Sequence, residues 1–153
     1  MFQGIPLHPL AVHFGVVLGL LAAGVVLLSA VLPRFRRWIG WGLPALGVLG
    51  AIALQVTASL GEALQESSSA YNSIVVAAHA EWGERAGTAG IVLAVVSIQL
   101  WLVTSPAARE RLTSHWPTWL TPLTLGVAVI VPLLTIAVVT IAGHSGASAV
   151  WTT

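Results

Sequence analysis

The chain has 153 residues, 57% of them apolar and only 7% charged, with no Lys, Asp or Cys, a mean hydropathy of +0.93 and a net charge of +1. A water-soluble domain of this length cannot bury that much apolar surface inside itself, so the composition places the chain in a bilayer. The composition also excludes disulfides, thiolate metal sites and cysteine-held iron–sulfur clusters, and the small net charge argues against a nucleic-acid partner.

In chain order, the N-terminal stretch "MFQGIPLHPL" carries no Lys or Arg ahead of its apolar run, and that run is too long for the core of a signal peptide. It is expected to stay as the first of four membrane helices, over about 10–32. A hydrocarbon core of ~30 Å needs ~20 helical residues. The other three segments of that length are about 38–60, 86–104 and 119–142. The first segment ends at "PRFRR", where Pro33 halts the helix and Arg34, Arg36 and Arg37 gather. The third ends at "SPAARERL", with Arg109 and Arg111. Five of the six arginines thus lie in two loops on one side, with only Arg85 on the other, so those loops are expected to be cytoplasmic and both termini extracytoplasmic. Trp38, Trp41, Trp116 and Trp119 flank the inner boundary, and Trp82 and Trp151 the outer one.

The connection from Gly61 to Arg85 is the one long outer link. Its "QESSSAYN" reads as a solvated tip, and Asn72 is an expected N-cap for one unbroken helix over 73–104 that starts above the membrane. The fold class is therefore all-α, a single-domain integral membrane four-helix bundle spanning 1–153. Glycines recur at four-residue spacing, Gly15 with Gly19 and Gly83 with Gly87; such pairs either let helices approach closely or leave room for a flat ligand.

This topology brings most of the ionisable groups to one end. His8 and His13 open the first helix, His79 the third, and His144 follows the fourth, while Glu62 reaches the same level from the second, with Glu81 and Glu84 nearby. Only His115, in the cytoplasmic loop, stands apart and reads as solvated. Polar groups beside membrane segments are costly and tend to face a bundle interior or a site.

Imidazole is the commonest metal ligand and the axial ligand of haem iron in helical bundles. A haem is expected to use His13, about a turn deeper than His8, with a partner from the third or fourth helix, His79 or His144. A bare Zn or Cu ion needs three or four convergent donors, for which His8, His13, His79, His144 and Glu62 are the candidates. His8 and His13 are splayed by ~140° on a regular helix, so one ion takes both only if Pro9 begins the helix and leaves His8 on the preceding turn. Ser145 follows His144, but no Gly-x-Ser-x-Gly element is present to support a serine hydrolase.

The blocks "GIPLHPLAVHF", "TASLGEALQE", "HAEWGERA" and "GHSGASAVW" together resemble the bacterial membrane-protein family called domain of unknown function 2231. The resemblance spans nearly the whole chain, with "LHPLAVHF" its most specific part and Gly15 standing where many members carry a proline. It implies four helices, recurrent histidines and neighbouring redox modules such as cytochrome c or Rieske domains, in a bacterial cell membrane.

The expected function is thus a small multi-pass b-type cytochrome or redox-metal protein. It would pass electrons between a quinone and an extracytoplasmic partner, with a homo-oligomer compatible with the pattern. The alternatives are a zinc or copper protein, in which Glu62 or Glu81 activates water in a metal-assisted hydrolase, or an accessory subunit without cofactor.

Overall fold

The computed structural model describes residues 7–67, 73–106, 108, 110 and 116–151, the side chains of 7–10 and 149–151 excepted. The described elements are all helical: α1 (Leu7–Val31), α2 (Pro33–Ile39), α3 (Gly42–Glu66), α4 (Ile74–Thr104) and α5 (Leu120–Trp151). Four of them, α1, α3, α4 and α5, are long and apolar enough to cross a membrane, the architecture of a multi-pass membrane protein. Their midsections expose large aliphatic side chains such as Leu21, Ile52, Val95 and Ile130, as a lipid-facing surface does.

The interior combines Leu and Val side chains such as Leu43, Leu93, Leu100 and Val26 with many small and weakly polar groups. Ala22, Ala23, Ala128, Ser29, Ser97, Thr124 and Thr135 are all buried. In lipid no hydrophobic force drives helices together, so close backbone approach and side-chain hydrogen bonds must do it. Gly50 of α3 shows the first: a Cβ there would stand 2.7 Å from Cβ of Ala22 on α1. Gln99 of α4 shows the second, donating to Thr124 of α5 at 3.0 Å.

The helices run alternately up and down, in the ring order α1, α3, α4, α5, with α1 and α4 on the diagonal. One end of the bundle carries the short α2 with Arg34, Arg36 and Arg37. The start of α1, the end of α3, the start of α4 and the end of α5 share the other end, which is the histidine end.

The "PRFRR" segment is a helix rather than a loop. Pro33 does end α1 at Val31, but it also sits in the first turn of α2, where its missing N–H costs nothing. Arg36 then folds back and donates from one Nη to the carbonyls of Ser29 at 2.8 Å and Ala30 at 3.4 Å, satisfying acceptors that the end of α1 leaves open. Desolvation, and after it the neighbouring Arg37 charge, lower the Arg36 pKa from its ordinary value. Gly40, with φ +50°, makes the turn into α3.

Helix ends also differ from the expected ones. α3 continues to Glu66 and α5 to Trp151, beyond the expected ends at 60 and 142. Hydropathy marks where a segment leaves the bilayer, whereas a run of good helix formers such as "EALQE" in α3 continues the helix into water. His144 consequently lies inside α5, not after it. α4 is unbroken from Ile74, as expected, but its N-cap is Ser73, whose Oγ accepts from the Val76 N–H at 3.3 Å; Asn72 lies outside the described residues.

Candidate functional site: a cavity at the histidine end

A cavity of about 510 Å3 opens inside the bundle at the histidine end, with all four long helices in its wall. Its floor is apolar. Leu54, Ala86, Val139 and Ala142 form a buried cluster there, backed by Val16 and Trp82. Its polar groups are few and come from three helices: His13 from α1, Thr57, Glu62 and Gln65 from α3, and His79 from α4. α5 contributes only Val139, Ala142, Gly143, Gly146 and Ala147, a stripe of helical spacing.

The depth of this site follows from helical rise. At the arginine end, Trp41 and Trp101 pack together with ring centroids 4.0 Å apart. Trp82 lies 19 residues further up α4, about 28 Å away at 1.5 Å per residue, close to the ~30 Å of a hydrocarbon core. Arg85 stacks on Trp82, 4.6 Å from the ring centroid, as an interfacial cation does. His79 is three residues beyond Trp82, about 4.5 Å, so the site sits where an apolar interior meets polar surroundings.

His79 is held by two contacts from α5. Its Nδ1 lies 3.1 Å from the carbonyl oxygen of Ala142 and 3.1 Å from Oγ of Ser145, both on α5. Ser145 itself donates to the Ala142 carbonyl at 2.9 Å. A carbonyl only accepts, so the Ala142 contact is a hydrogen bond in the tautomer that carries its hydrogen on Nδ1, the one whose lone pair is on Nε2. Gly146 makes this seating possible, because a Cβ there would stand 2.8 Å from Cε1 of His79.

The structure thus brings together His13, His79 and Glu62 around one cavity. His144 does not line it. It falls about 130° around α5 from the centre of the lining stripe and is exposed. Glu81 and Glu84 are also exposed on the opposite side of α4, and Glu81 pairs with Arg85 one turn on. His8 lies in the first turn of α1 with its side chain outside the described residues, and His115 lies outside them altogether. Among the described residues no group of three or more His, Cys, Asp or Glu is arranged to hold a metal ion.

The two glycine pairs divide by role. Gly15 and Gly19 are close-approach positions, where a Cβ would meet Thr57 and Leu54, whereas a Cβ on Gly87 would press only on the far end of the exposed Gln55 side chain. Gly83 instead borders the cavity with no atom within 4 Å of where its Cβ would be, and Gly143 does the same from α5. Thr57, Gln65 and the Ser145–Gly146 step emerge only from the fold. The spacing of Thr57, Gly61, Glu62 and Gln65 along one stripe of α3 was the available signal for the first two.

Comparisons with protein-family models, with curated proteins and with solved structures find no match to this chain.

Proposed function

We propose that this protein is a small b-type cytochrome of the bacterial cell membrane that holds one haem in the histidine-end cavity, with His13 and His79 as the residues that would hold its iron. One observation carries the reading: imidazoles from α1 and α4, which lie diagonally across the bundle, line the same largely apolar cavity. The volume is in the range of cofactor pockets, and the open space beside Gly83 and Gly143 suits a flat macrocycle. The contact of His79 Nδ1 with the Ala142 carbonyl is of the kind that iron-ligating histidines make with their second nitrogen, and it would leave Nε2 as the nitrogen to hold the metal.

When bound, haem supplies a reversible one-electron couple at iron. The protein's share would be to hold the group through His13 and His79, to exclude water with the Leu54–Val139 floor, and to offer Glu62 and Gln65 at the more polar rim. The clustering of arginines at the opposite end supports an orientation with the haem near the outer surface and both termini extracytoplasmic. That depth suits electron exchange between a bilayer quinone and an extracytoplasmic redox protein, in line with the family resemblance. A bare Zn or Cu ion needs three or four donors, and the described residues offer no such group, so the two-ligand cofactor is preferred.

The test is the absorption spectrum of protein purified in detergent from haem-replete cells. A Soret band that shifts on dithionite reduction, lost in His13→Ala and in His79→Ala but kept in His144→Ala, is expected. Colourless protein after haem supplementation, or full haem content in both ligand variants, overturns the reading.

A further inference from the structure

We infer that the Ala142-to-Gly146 turn of α5 is a cradle that sets the tautomer of His79, with Ser145 as a positioning residue that acts through that imidazole. The inference deepens the haem reading, on which its functional meaning rests, although its geometry does not depend on any cofactor.

Three contacts define the cradle. The Ala142 carbonyl and Ser145 Oγ both lie 3.1 Å from Nδ1 of His79. The Ser145 hydroxyl hydrogen is directed at the Ala142 carbonyl, 2.9 Å away and one turn back. Its lone pairs therefore remain for the ring, and Nδ1–H is shared between two acceptors. Gly146 lies against the Cε1 edge between the two ring nitrogens: a Cβ there would stand 2.8 Å from Cε1 and 3.2 Å from each of them. That is closer than a side chain is tolerated, so only glycine lets the ring lie against α5 and reach these acceptors.

The arrangement assigns "GHSG" a role different from that of its histidine. His144 is exposed, whereas the two residues after it act on a histidine 66 and 67 positions earlier. In a transient or loosely held imidazole the two tautomers interchange, and the Nδ1–H form puts the lone pair on Nε2, the nitrogen through which haem-ligating histidines bind. A hydroxyl and a carbonyl accepting together from Nδ1 hold the ring in that form before any metal arrives, which is preorganisation of a ligand.

The test reads the tautomer directly. Protein labelled with 15N-histidine, prepared from haem-depleted cells in detergent micelles, is examined by two-bond 1H–15N spectra at a pH above the ordinary imidazole range. His79, assigned by its loss in His79→Gln, is expected as the Nδ1–H tautomer in the wild type. Ser145→Ala, which leaves the Ala142 carbonyl as the one remaining acceptor of the two, is expected to weaken the preference measurably, and Ser145→Thr, which keeps the hydroxyl, to restore it. Gly146→Ala is expected to displace the ring and abolish the preference.

An Nε2–H tautomer in the wild type, which needs no variant to fold, overturns the inference. So does a Ser145→Ala spectrum identical to wild type. The same proteins loaded with haem give a second readout: Ser145→Ala is expected to shift the midpoint potential while keeping the Soret band. An unshifted potential would limit the cradle to the unliganded protein and overturn Ser145 as a positioning residue of the haem site. Failure of the haem reading appears separately, as absence of the Soret band with the tautomer preference intact.

Discussion

Ser97 of α4 occupies the space in which a side chain on Gly47 of α3 would begin. Its Oγ and its Cβ both lie within the reach of a Cβ built on that glycine, and Ser97 is completely buried, its hydroxyl donating to the Ala94 carbonyl at 2.7 Å. Neither helix can yield without moving apart from its neighbour. Gly47→Ala is therefore expected to destabilise the bundle by about 1–3 kcal/mol, the usual cost of overpacking. Adding Ser97→Gly to it should recover a large part of that loss, since the two sites are in contact and do not act additively. Gly126, whose Cβ would meet nothing, provides the contrast: Gly126→Ala should leave stability unchanged or raise it by up to about 1 kcal/mol. Thermal unfolding in one detergent, followed by circular dichroism, checks all three.

Gly83 and Gly87 are four residues apart on α4 but stand in different surroundings. Gly83→Phe is expected to fold normally, place its ring in the cavity and lower haem content at least tenfold at matched yield. Gly87→Ala, where only the far end of the exposed Gln55 side chain must move aside, is expected to leave both the unfolding temperature and the haem content close to wild type. Haem content per protein, set beside the melting curve, separates the two.

The arginine end depends on one side chain more than on its neighbours. Arg36→Ala removes the donor that meets the Ser29 and Ala30 carbonyls, so α2 should detach from α1 with a loss of about 1–3 kcal/mol, whereas Arg34→Ala, at an exposed position, should be near neutral. Ser29 offers the opposite case. Its Oγ is buried without a hydrogen-bond partner among the described residues, so Ser29→Ala should be neutral or stabilising. Unfolding in detergent or in mixed micelles with a denaturing surfactant measures these differences.

Because the chain has no Cys, single cysteines report its orientation without background. Ser67→Cys at the histidine end is expected to react in intact cells with a thiol reagent that does not cross the membrane. Arg34→Cys in α2 should react only after permeabilisation. Reversed labelling would place the cavity at the cytoplasmic face.

What the sequence alone determined is the part governed by local composition. Four runs of sufficient apolar length, the stop at Pro33, the unbroken helix through His79 into the third span and the gathering of His13, His79 and Glu62 at one end follow from hydropathy, helix length and the order of the loops. Which of the polar groups share a cavity was decided by helix rotation. A membrane helix that is apolar on all sides carries almost no amphipathic signal to orient it, so depth was legible and azimuth was not. His144 has the right depth and the wrong azimuth, Glu81 and Glu84 likewise, and of Gly83 and Gly87 in the third span Gly83 borders the cavity and Gly87 does not, for the same reason. Ser145 and Gly146 gain their importance from a ring contributed by another helix more than sixty residues away, and only the packing of α4 on α5 brings that ring to them.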